Sequence, residues 1–343
     1  MDLGVYSFGD LIDEPTPHTV GRRLDALVRQ AQMADAGGME VFALGEHHRP
    51  DFAVSAPEVV LAAIAATTGR IRLTTAVTVL STTDPVRLME QFGTLDQLSH
   101  GRAEITVGRG AFTEPFPLFG FDLRDYDDLF EEKLGLMIQL RDDPDASWEG
   151  RFRPPLRDHY IAPRPAQKVP IWIGVGGTPQ SALRAGVLGA PMFLSLFTGP
   201  RQGVRLVELY RRAGESAGHD PNQLRLATGG HIFVRGNSQD AQNEFYPYYS
   251  RYMSLHPSFR GGMPRSTYDQ WVQAGLLVGS PQQIVEGILS HHELLGAERF
   301  VGQFDPGMPE AAADASLSLL LSEVLPAVKA ATATDPVRPG VHG

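Results

Sequence analysis

The sequence predicts the α/β class and, within it, a (β/α)8 TIM barrel, on three observations. The chain has 343 residues, a length at which this barrel forms a single domain. Apolar runs of strand length alternate with segments of helical period along most of the chain. Eight such strands can be counted, each followed by a helix or a long connection, and eight is the number of units in the barrel.

A doubly wound sheet is built from similar units and is the alternative fold. In that fold, three spaced glycines after the first strand are typical of a dinucleotide site. The corresponding stretch here is Phe8-Gly9-Asp10-Leu11, which lacks them. We therefore favour the barrel.

The first half of the chain alternates strands with capped helices. Its predicted strands are residues 3–8, 39–44, 71–80 and 103–107. A helix is expected from Pro57, with Ser55 as its cap and Glu58 completing a capping box. Asp84-Pro85 predicts the start of the next helix by the same logic.

The second half continues the alternation. Strands are predicted over residues 171–175, 191–196 and 298–304, with another inside 224–234. Helices are predicted over residues 126–140 and 311–330. A further helix should begin at Pro281, with Ser280 as its cap and Gln283 closing a capping box.

Two long excursions interrupt the alternation, after strands four and seven. Residues 142–170 are polar and rich in proline, and residues 244–274 are rich in aromatic residues. The second excursion could be a surface connection or a lid over the barrel mouth, with Tyr248 and Tyr252 facing a substrate. We expect one barrel domain over residues 1–332 and a frayed tail over residues 333–343.

Composition excludes several classes of protein. The chain has no cysteine, which excludes disulfides, thiolate metal sites, iron–sulfur clusters and a cysteine nucleophile. Its net charge of −10 argues against nucleic acid as a partner. Glycine, proline or charge breaks every long apolar stretch and no basic leader opens the chain, so we expect a cytoplasmic protein without a membrane span.

A phosphate site is indicated at the ends of strands four and five. Gly176-Gly177-Thr178-Pro179 describes a strand–turn–helix with exposed N–H groups, which attracts anions, and Ser181 could add a hydroxyl. Arg109 stands between two glycines at the end of the adjacent strand. Alone, the turn could be an ordinary βα connection and the arginine a surface ion pair. Together they indicate a bound phosphate.

The densest ionisable cluster, Glu46-His47-His48, follows strand two. Neighbouring strand residues face opposite sides, so one of the two histidines should face the barrel mouth. A histidine there can act as acid, base or hydrogen-bond donor near neutral pH. A histidine that only satisfies a loop and a metal-dependent hydrolase remain the alternatives, although no third metal ligand is evident.

The chain also resembles the bacterial luciferase-like flavin-dependent monooxygenases, enzymes of FMN or deazaflavin on a (β/α)8 barrel. The matching stretches are residues 41–48, 74–87, 95–110, 171–181 and 277–282. The most specific is DPVR at residues 84–87 followed by LDQLSHGR at residues 95–102. The opening YSFGD and the segment EHHRPDF further resemble one subgroup of oxidoreductases of about this length, whose substrate is not established.

The resemblance implies roles for residues already singled out. It places His47 beside the reactive edge of the flavin and a non-prolyl cis peptide at Ala76-Val77 under the isoalloxazine ring. It places Arg109 and the Gly176-Gly177 turn around the flavin phosphate. Apart from the resemblance, Glu46 and His48, with the two tyrosines named above, are further candidates to face the substrate or form a lid.

Two departures from the luciferases matter. They carry a reactive cysteine where this chain has Gly108, and acidic and hydroxyl side chains where it has Gly176-Gly177. The resemblance therefore implies a flavin enzyme other than a luciferase in the narrow sense. Its phosphate contacts would fall more on backbone N–H groups.

The hypothesis is an FMN-dependent monooxygenase that uses reduced FMN and O2 to oxygenate a small organic substrate. A separate flavin reductase would supply the cofactor, since no nicotinamide site is evident. The resemblance also implies a homodimer, through a face of small residues at Ala62, Ala63, Ala65 and Ala66. The alternatives are an F420-dependent enzyme that transfers hydride on the same barrel, a flavin-binding protein without catalysis, and the metal hydrolase.

Overall fold

Parallel strands follow one another around a barrel in a computed structural model that describes residues 1–333. The strands are β1 (Asp2–Ser7), β2 (Val41–Leu44), β3 (Arg72–Thr75), β4 (Thr78–Val79), β5 (Ile105–Gly108), β6 (Ile171–Val175), β7 (Met192–Ser195), β8 (Leu226–Val234), β9 (Leu277–Gly279) and β10 (Arg299–Gln303). They pair in the order β3-β2-β1-β10-β8-β7-β6-β5-β4, and β9 pairs with the far end of β8. The predicted α/β class and TIM barrel are confirmed.

The barrel closes through β3 and β4, which form one strand position interrupted at Ala76-Val77. β3 pairs with β2, while β4 pairs with β5 through Thr78 and Val107. A bridge between Leu73 and Ala103 links the same two positions lower down. The predicted third strand, residues 71–80, is therefore present but broken in the middle.

Helices surround the barrel and follow its strands. They are α1 (Pro17–Ala36), α2 (Pro57–Ala65), α3 (Pro85–Ser99), α4 (Pro115–Leu118), α5 (Tyr126–Asp142), α6 (Pro179–Val187), α7 (Val204–Ser216), α8 (Ser238–Met253), α9 (Arg265–Ala274), α10 (Pro281–Leu295), α11 (Glu310–Leu319) and α12 (Leu325–Thr332). A π-helical turn, Leu320–Val324, joins the last two into the single closing helix that was expected.

That closing helix, Glu310–Thr332, is long and apolar enough to cross a membrane by length and composition alone. Core helices of globular proteins pass the same test. Its buried residues include Leu317, Val324 and Val328, which belong to the main hydrophobic cluster. The absence of a membrane span stays a prediction.

The predicted helix caps differ in outcome. The Asp84 carboxylate accepts hydrogen bonds from the N–H groups of Val86 and Arg87, as expected. The predicted cap at Ser55 is wrong, because α2 begins at Pro57 and the capping position is Ala56, which has no side-chain acceptor.

The cap of α10 is confirmed in part. Ser280 accepts from the N–H of Gln283, which is the serine half of the predicted capping box. The Gln283 side chain instead accepts from Ser238 over 2.5 Å. The glutamine half of the capping box is therefore absent, and the Gln283 side chain contacts the start of α8 instead.

The two excursions contain regular structure. Residues after β5 form α4 and α5 before an irregular stretch with one antiparallel bridge, between Trp148 and Leu156. The excursion at residues 244–274 is not a loop, because α8 and α9 occupy most of it and pack on each other. The surface-connection and the lid interpretations of this segment both stay predictions. Of the tail predicted to fray, residues 334–343 lie outside the described part of the chain, and the domain division at that point stays a prediction.

The barrel interior is filled by a compact layer of side chains. Its members are Tyr6, Ala43, Ala76, Trp172, Phe193, Ala227 and Val301. Beneath them the buried Arg299 donates to Glu104, and the Trp172 indole N–H donates to the same carboxylate. This closed interior leaves the carboxyl ends of the strands as the place for a ligand.

Candidate active site

A pocket opens at the carboxyl ends of β2, β4 and β5, the end of the barrel at which active sites lie. Its cavity volume is about 100 Å³. The residues that line it are Phe8, Glu46, His47, His48, Ala76, Val77, Val79, Gly110, Ala111, Phe112 and Pro115. Its wall is mostly apolar, with a few polar groups on one side, which is the usual composition of a small-molecule site.

The peptide bond between Ala76 and Val77 is cis, as the family resemblance implies. The Ala76 N–H donates to the Leu44 carbonyl over 2.8 Å, and the Val77 carbonyl accepts from the Glu46 N–H over 3.3 Å. The end of β2 is thus bonded to both sides of this peptide. Because both residues line the pocket, they form one of its walls.

His47 sits among aromatic rings. The centroid of its ring lies 4.5 Å from that of Phe8, 4.3 Å from Phe52 and 5.1 Å from Phe112. Its Nε2 atom is buried and has no hydrogen-bond partner. Buried polar atoms are normally paired, so a free one that borders a pocket is a ready contact for a ligand.

The same surroundings keep the imidazole neutral. Burial, reinforced by the positive charge of Arg49 and by His48, lowers the pKa of His47 to about 3. Desolvation disfavours the charged form, and a nearby cation adds to that effect. At neutral pH the ring can donate or accept one hydrogen bond at Nε2 without carrying charge.

Glu46 and His48 line the pocket but are bonded to the protein. One Glu46 carboxylate oxygen lies 2.8 Å from His48 Nε2, and the other accepts from the Val79 N–H over 2.8 Å. The His48 ring packs edge-to-face on Phe119 at 4.9 Å. These two side chains therefore stand in the pocket wall, and of the histidine pair it is His47 whose Nε2 is buried without a hydrogen-bond partner.

Metal ligands do not converge on this cluster. Within residues 1–333, no three His, Asp or Glu side chains form a group that could hold a metal ion. The metal-hydrolase hypothesis therefore has no ligand set in the described part of the chain.

The structure brings Arg109 and Ser181 together next to the pocket. Arg109 donates to the buried Ser181 hydroxyl over 3.2 Å and to Asp127 over 2.5 Å. The guanidinium also lies over the Tyr126 ring, 5.2 Å from its centroid. Tyr126 in turn donates to the carbonyl of Gly110, which lines the pocket. The arginine is thus aimed across β5 and β6 at the start of α6.

The turn before α6 has room for a ligand. A Cβ added at Gly176 or at Gly177 would meet no atom within 4 Å, and Gly177 has a φ of +113°. Thr178 occupies the capping position of α6, but its side chain makes no capping hydrogen bond. Open backbone at a helix start, with an arginine beside it, suits an anion such as phosphate.

The two tyrosines lie on α8 and are not among the residues that line the pocket. The Tyr252 hydroxyl is 3.3 Å from both polar atoms of the Gln303 side chain, and burial raises its pKa well above the ordinary value. Tyr248 is half-buried and packs against the main core. Both therefore help to seat α8 on the barrel, and their assignment to substrate contact stays a prediction.

Sequence reasoning missed a pair of buried carboxyl groups, Asp10 and Asp305, after β1 and β10. Asp305 accepts from the Ser7 hydroxyl over 2.7 Å and is paired with Arg23, while Asp10 accepts from the Gly307 N–H over 3.0 Å. Burial and the Asp305 charge raise the pKa of Asp10, and burial raises that of Asp305. Their position directly after strand ends was the available signal.

The chain is similar to flavin-dependent oxygenases in sequence. The profile of the family described as luciferase-like monooxygenase matches residues 1–298. Among curated proteins, the oxygenase component of flavin-dependent trigonelline monooxygenase from Acinetobacter baylyi is 25% identical over 331 residues, covering 88% of this chain and 89% of that protein.

Solved structures repeat the fold. Monooxygenase RslO1 from Streptomyces bottropensis superposes with a TM-score of 0.84 at 24% identity, over 95% of this chain and 99% of that one. The oxygenating constituent of 3,6-diketocamphane monooxygenase from Pseudomonas putida, solved with FMN, gives a TM-score of 0.77 at 21% identity, over 95% and 98% of the chains.

Proposed function

Because the chain belongs to the luciferase-like monooxygenase family, we propose that it is the oxygenase of an FMN-dependent monooxygenase acting on a small organic substrate. The observation that carries the proposal is the free Nε2 of His47 in an apolar pocket walled by the Ala76–Val77 peptide. A pocket with one neutral, buried hydrogen-bonding group can hold a flat ring and exclude water.

The residues present fit a flavin phosphate as well as the ring. Arg109 would supply a fork of donors, Ser181 a hydroxyl, and the Gly176-Gly177 turn open backbone. The Asp127 carboxylate now pairs with Arg109, and Asp127 is largely exposed, so it can yield to a stronger anion. This corner adjoins the pocket, because Arg109 precedes the pocket-lining Gly110.

Bound reduced FMN would supply the electrons with which O2 delivers one oxygen atom to the substrate and the other to water. His47 would hold a proton or a hydrogen bond at Nε2 beside the reacting oxygen. The rings of Phe8 and Phe112 would exclude bulk water from that point.

We further propose a separate flavin reductase as partner, which the "oxygenase component" in the name of the trigonelline enzyme supports. We propose a homodimer through α2, where Ala63 and Ala66 are exposed while Ala65 is buried. A cytoplasmic location is part of the same proposal. Sedimentation equilibrium of the full chain tests the dimer, and a monomer would refute it.

FMN titration and oxygen uptake test the function together. The full chain should quench FMN fluorescence on binding, and with photoreduced FMN and O2 it should form an oxygenated product from a substrate, which the O2 uptake of free reduced FMN does not yield. His47→Gln should keep FMN binding and lose most substrate oxygenation. Reduction of a substrate by bound F420 without O2 uptake would support the F420-dependent alternative. Tight FMN binding that leaves every substrate unoxidised, with His47 dispensable, would support the alternative of a flavin-binding protein without catalysis.

A further inference from the structure

We propose that Lys133 is a positioning residue for the pocket at the barrel mouth. From α5, its charged amine links the turn after β4 to the segment after α4, and each of these segments continues into a wall of the pocket. The inference rests on the proposed function, since this pocket is the one proposed for the flavin ring.

Lys133 is buried, which is uncommon for a lysine. The chain has three lysines, and only 3% of Lys133 is exposed. The side chains of the other two, Lys168 and Lys329, are 64% and 42% exposed. A buried ammonium gives up its hydration and persists only where groups of the protein replace the water. The partners of Lys133 therefore show what its charge does.

The first partner is the turn that follows β4. Lys133 Nζ donates to the Ser81 carbonyl over 2.7 Å, inside the short 3₁₀ turn Leu80–Thr82. The turn directly follows Val79, which lines the pocket and whose N–H donates to Glu46. Among the described residues, the other hydrogen bonds of this turn run within it or back to Val79. The lysine is therefore the polar connection between this turn and α5.

The second partner is an aromatic ring in the segment after α4. Lys133 Nζ lies 4.0 Å from the centroid of Phe121, a cation–π contact. The Phe121 N–H donates to the Phe116 carbonyl over 2.8 Å, and the buried Phe116 directly follows Pro115. Pro115 lines the pocket, as Val79 does. The amine thus lies between the two segments that leave the pocket at these residues.

Both contacts depend on the charge of the amine. An ammonium donates a stronger hydrogen bond than a neutral amine, and only the ammonium is attracted to the face of a ring. Burial lowers the pKa of Lys133 to about 8, against the charges of Asp84 at the start of α3 and Glu132 on α5, which raise it. The turn and the segment after α4 present a carbonyl and a ring to it. The lysine is therefore mostly charged at pH 7 and loses its proton above pH 8.

Labelled lysines measure the link between this charge and the pocket. The full chain with isotope-labelled lysine gives three side-chain signals, which NMR follows from pH 6.5 to 9.5 without flavin and with saturating riboflavin. Riboflavin is chosen because it is uncharged, whereas the phosphate of FMN would itself raise the pKa of a nearby lysine.

The direction of the change is decisive. If the charged lysine favours flavin binding, bound flavin must favour the charged lysine to the same extent. The midpoint of Lys133 should rise from about pH 8 by roughly one pH unit with riboflavin, which corresponds to a tenfold difference in affinity. Further burial of the amine by the ligand alone would lower it. The midpoints of Lys168 and Lys329 should not change.

Three variants extend the test to FMN affinity. Lys133→Met keeps a buried side chain without charge and should bind FMN roughly tenfold more weakly at pH 7, in the range for loss of a hydrogen bond to a charged group. Lys133→Arg keeps the cation, so it should bind like the wild type at pH 7 and, unlike the wild type, retain that affinity at pH 9. The matched control, Lys168→Met, removes an exposed lysine and should leave the affinity unchanged.

A Lys133 midpoint that riboflavin leaves unchanged or lowers would overturn the proposal, and so would equal FMN affinity in the wild type and Lys133→Met. A chain that binds neither flavin would instead refute the proposed function. The flavin-free chain then decides the role of the lysine through hydrogen exchange. The amides of residues 79–83 and 116–121 should exchange roughly tenfold faster in Lys133→Met than in the wild type. Equal exchange would show that the lysine does not link the two segments.

Discussion

The Val77 side chain occupies the space in front of Gly108. A Cβ placed on Gly108 would lie 2.6 Å from Cγ2 of Val77, and one placed on Gly174 would lie 2.8 Å from Cγ1. Real Cβ atoms do not approach that closely. The Val77 side chain therefore packs between glycines on β5 and β6. Gly108 is also the position at which the luciferases carry a cysteine.

The first prediction concerns this contact. Gly108→Ala should lower the free energy of unfolding by about 1–3 kcal/mol, because the added methyl overpacks the pocket wall. Val77→Ala should reduce that penalty, since only its Cβ, 3.3 Å away, would remain close. Urea denaturation of the two single variants and the double variant measures the coupling. Gly69→Ala is the matched control, because its added Cβ meets no atom within 4 Å. Strictly additive effects of Val77→Ala and Gly108→Ala would contradict the steric account.

A second prediction concerns Glu46, which ties His48 to the backbone of β4. Glu46→Ala leaves the buried Val79 N–H without an acceptor and should cost about 1–3 kcal/mol of stability. It should also weaken FMN binding, because Val77 and Val79 line the pocket. Glu46→Gln retains an acceptor oxygen and should restore most of both properties.

The measurements for this prediction are urea denaturation and FMN fluorescence titration. Glu90→Ala is the control, since Glu90 pairs with Arg87 on the surface of α3 and such pairs contribute little. If Glu46→Ala loses stability but binds FMN like the wild type, Glu46 has no role in shaping the pocket.

The fold could be predicted because each element is encoded locally. Strand six of the sequence interpretation, residues 191–196, differs from β7 only at its ends, and the strand at residues 171–175 coincides with β6. The period of hydrophobic residues and the capping residues involve only a few neighbouring positions, so they can be recognised without knowledge of tertiary contacts. The error at Ser55 is of one residue, which is the usual uncertainty of helix boundaries.

The site could be predicted only for residues that follow barrel strands, because the fold brings the ends of those strands together. The carboxyl ends of strands meet at one mouth, so Arg109 and Ser181 could be placed near each other across adjacent strands. The contacts of Asp10 with Gly307, and of Arg49 with Glu114, join segments whose spacing the sequence does not define. Those pairings depend on the conformation of loops, which the sequence pattern does not predict. They determine which charged side chains near the site are already paired within the protein.

A third prediction concerns acid stability. His291 is buried on α10, its Nδ1 is 3.1 Å from the Thr228 hydroxyl, and burial lowers its pKa to about 4. In the unfolded chain this histidine is protonated below about pH 6.5, whereas in the folded chain it is protonated only below about pH 4. The free energy of unfolding therefore decreases as pH falls from 6.5 to 4. From pH 7 to pH 5 this residue should cost about 2 kcal/mol.

His291→Gln should remove that loss. The variant is expected to be less stable than the wild type at pH 7, but its free energy of unfolding should fall by about 2 kcal/mol less between pH 7 and pH 5. Urea denaturation at several pH values measures the difference. The raised pKa values of Asp10 and Asp305 contribute with the opposite sign, and they cancel in the comparison because both proteins carry them. Parallel pH profiles would show that His291 does not titrate as described.

The last prediction separates the phosphate corner from the ring pocket by comparing FMN with riboflavin, which lacks only the phosphate. Arg109→Gln should weaken FMN binding by roughly tenfold to a hundredfold, the range for loss of a hydrogen bond to a charged group. Riboflavin binding should change little, since the pocket residues around His47 are untouched. Arg124→Gln is the matched control, because Arg124 is 89% exposed and pairs with Asp122 outside the pocket. An equal loss for both flavins in Arg109→Gln would mean that the arginine shapes the pocket through Tyr126 and Gly110 and does not hold a phosphate.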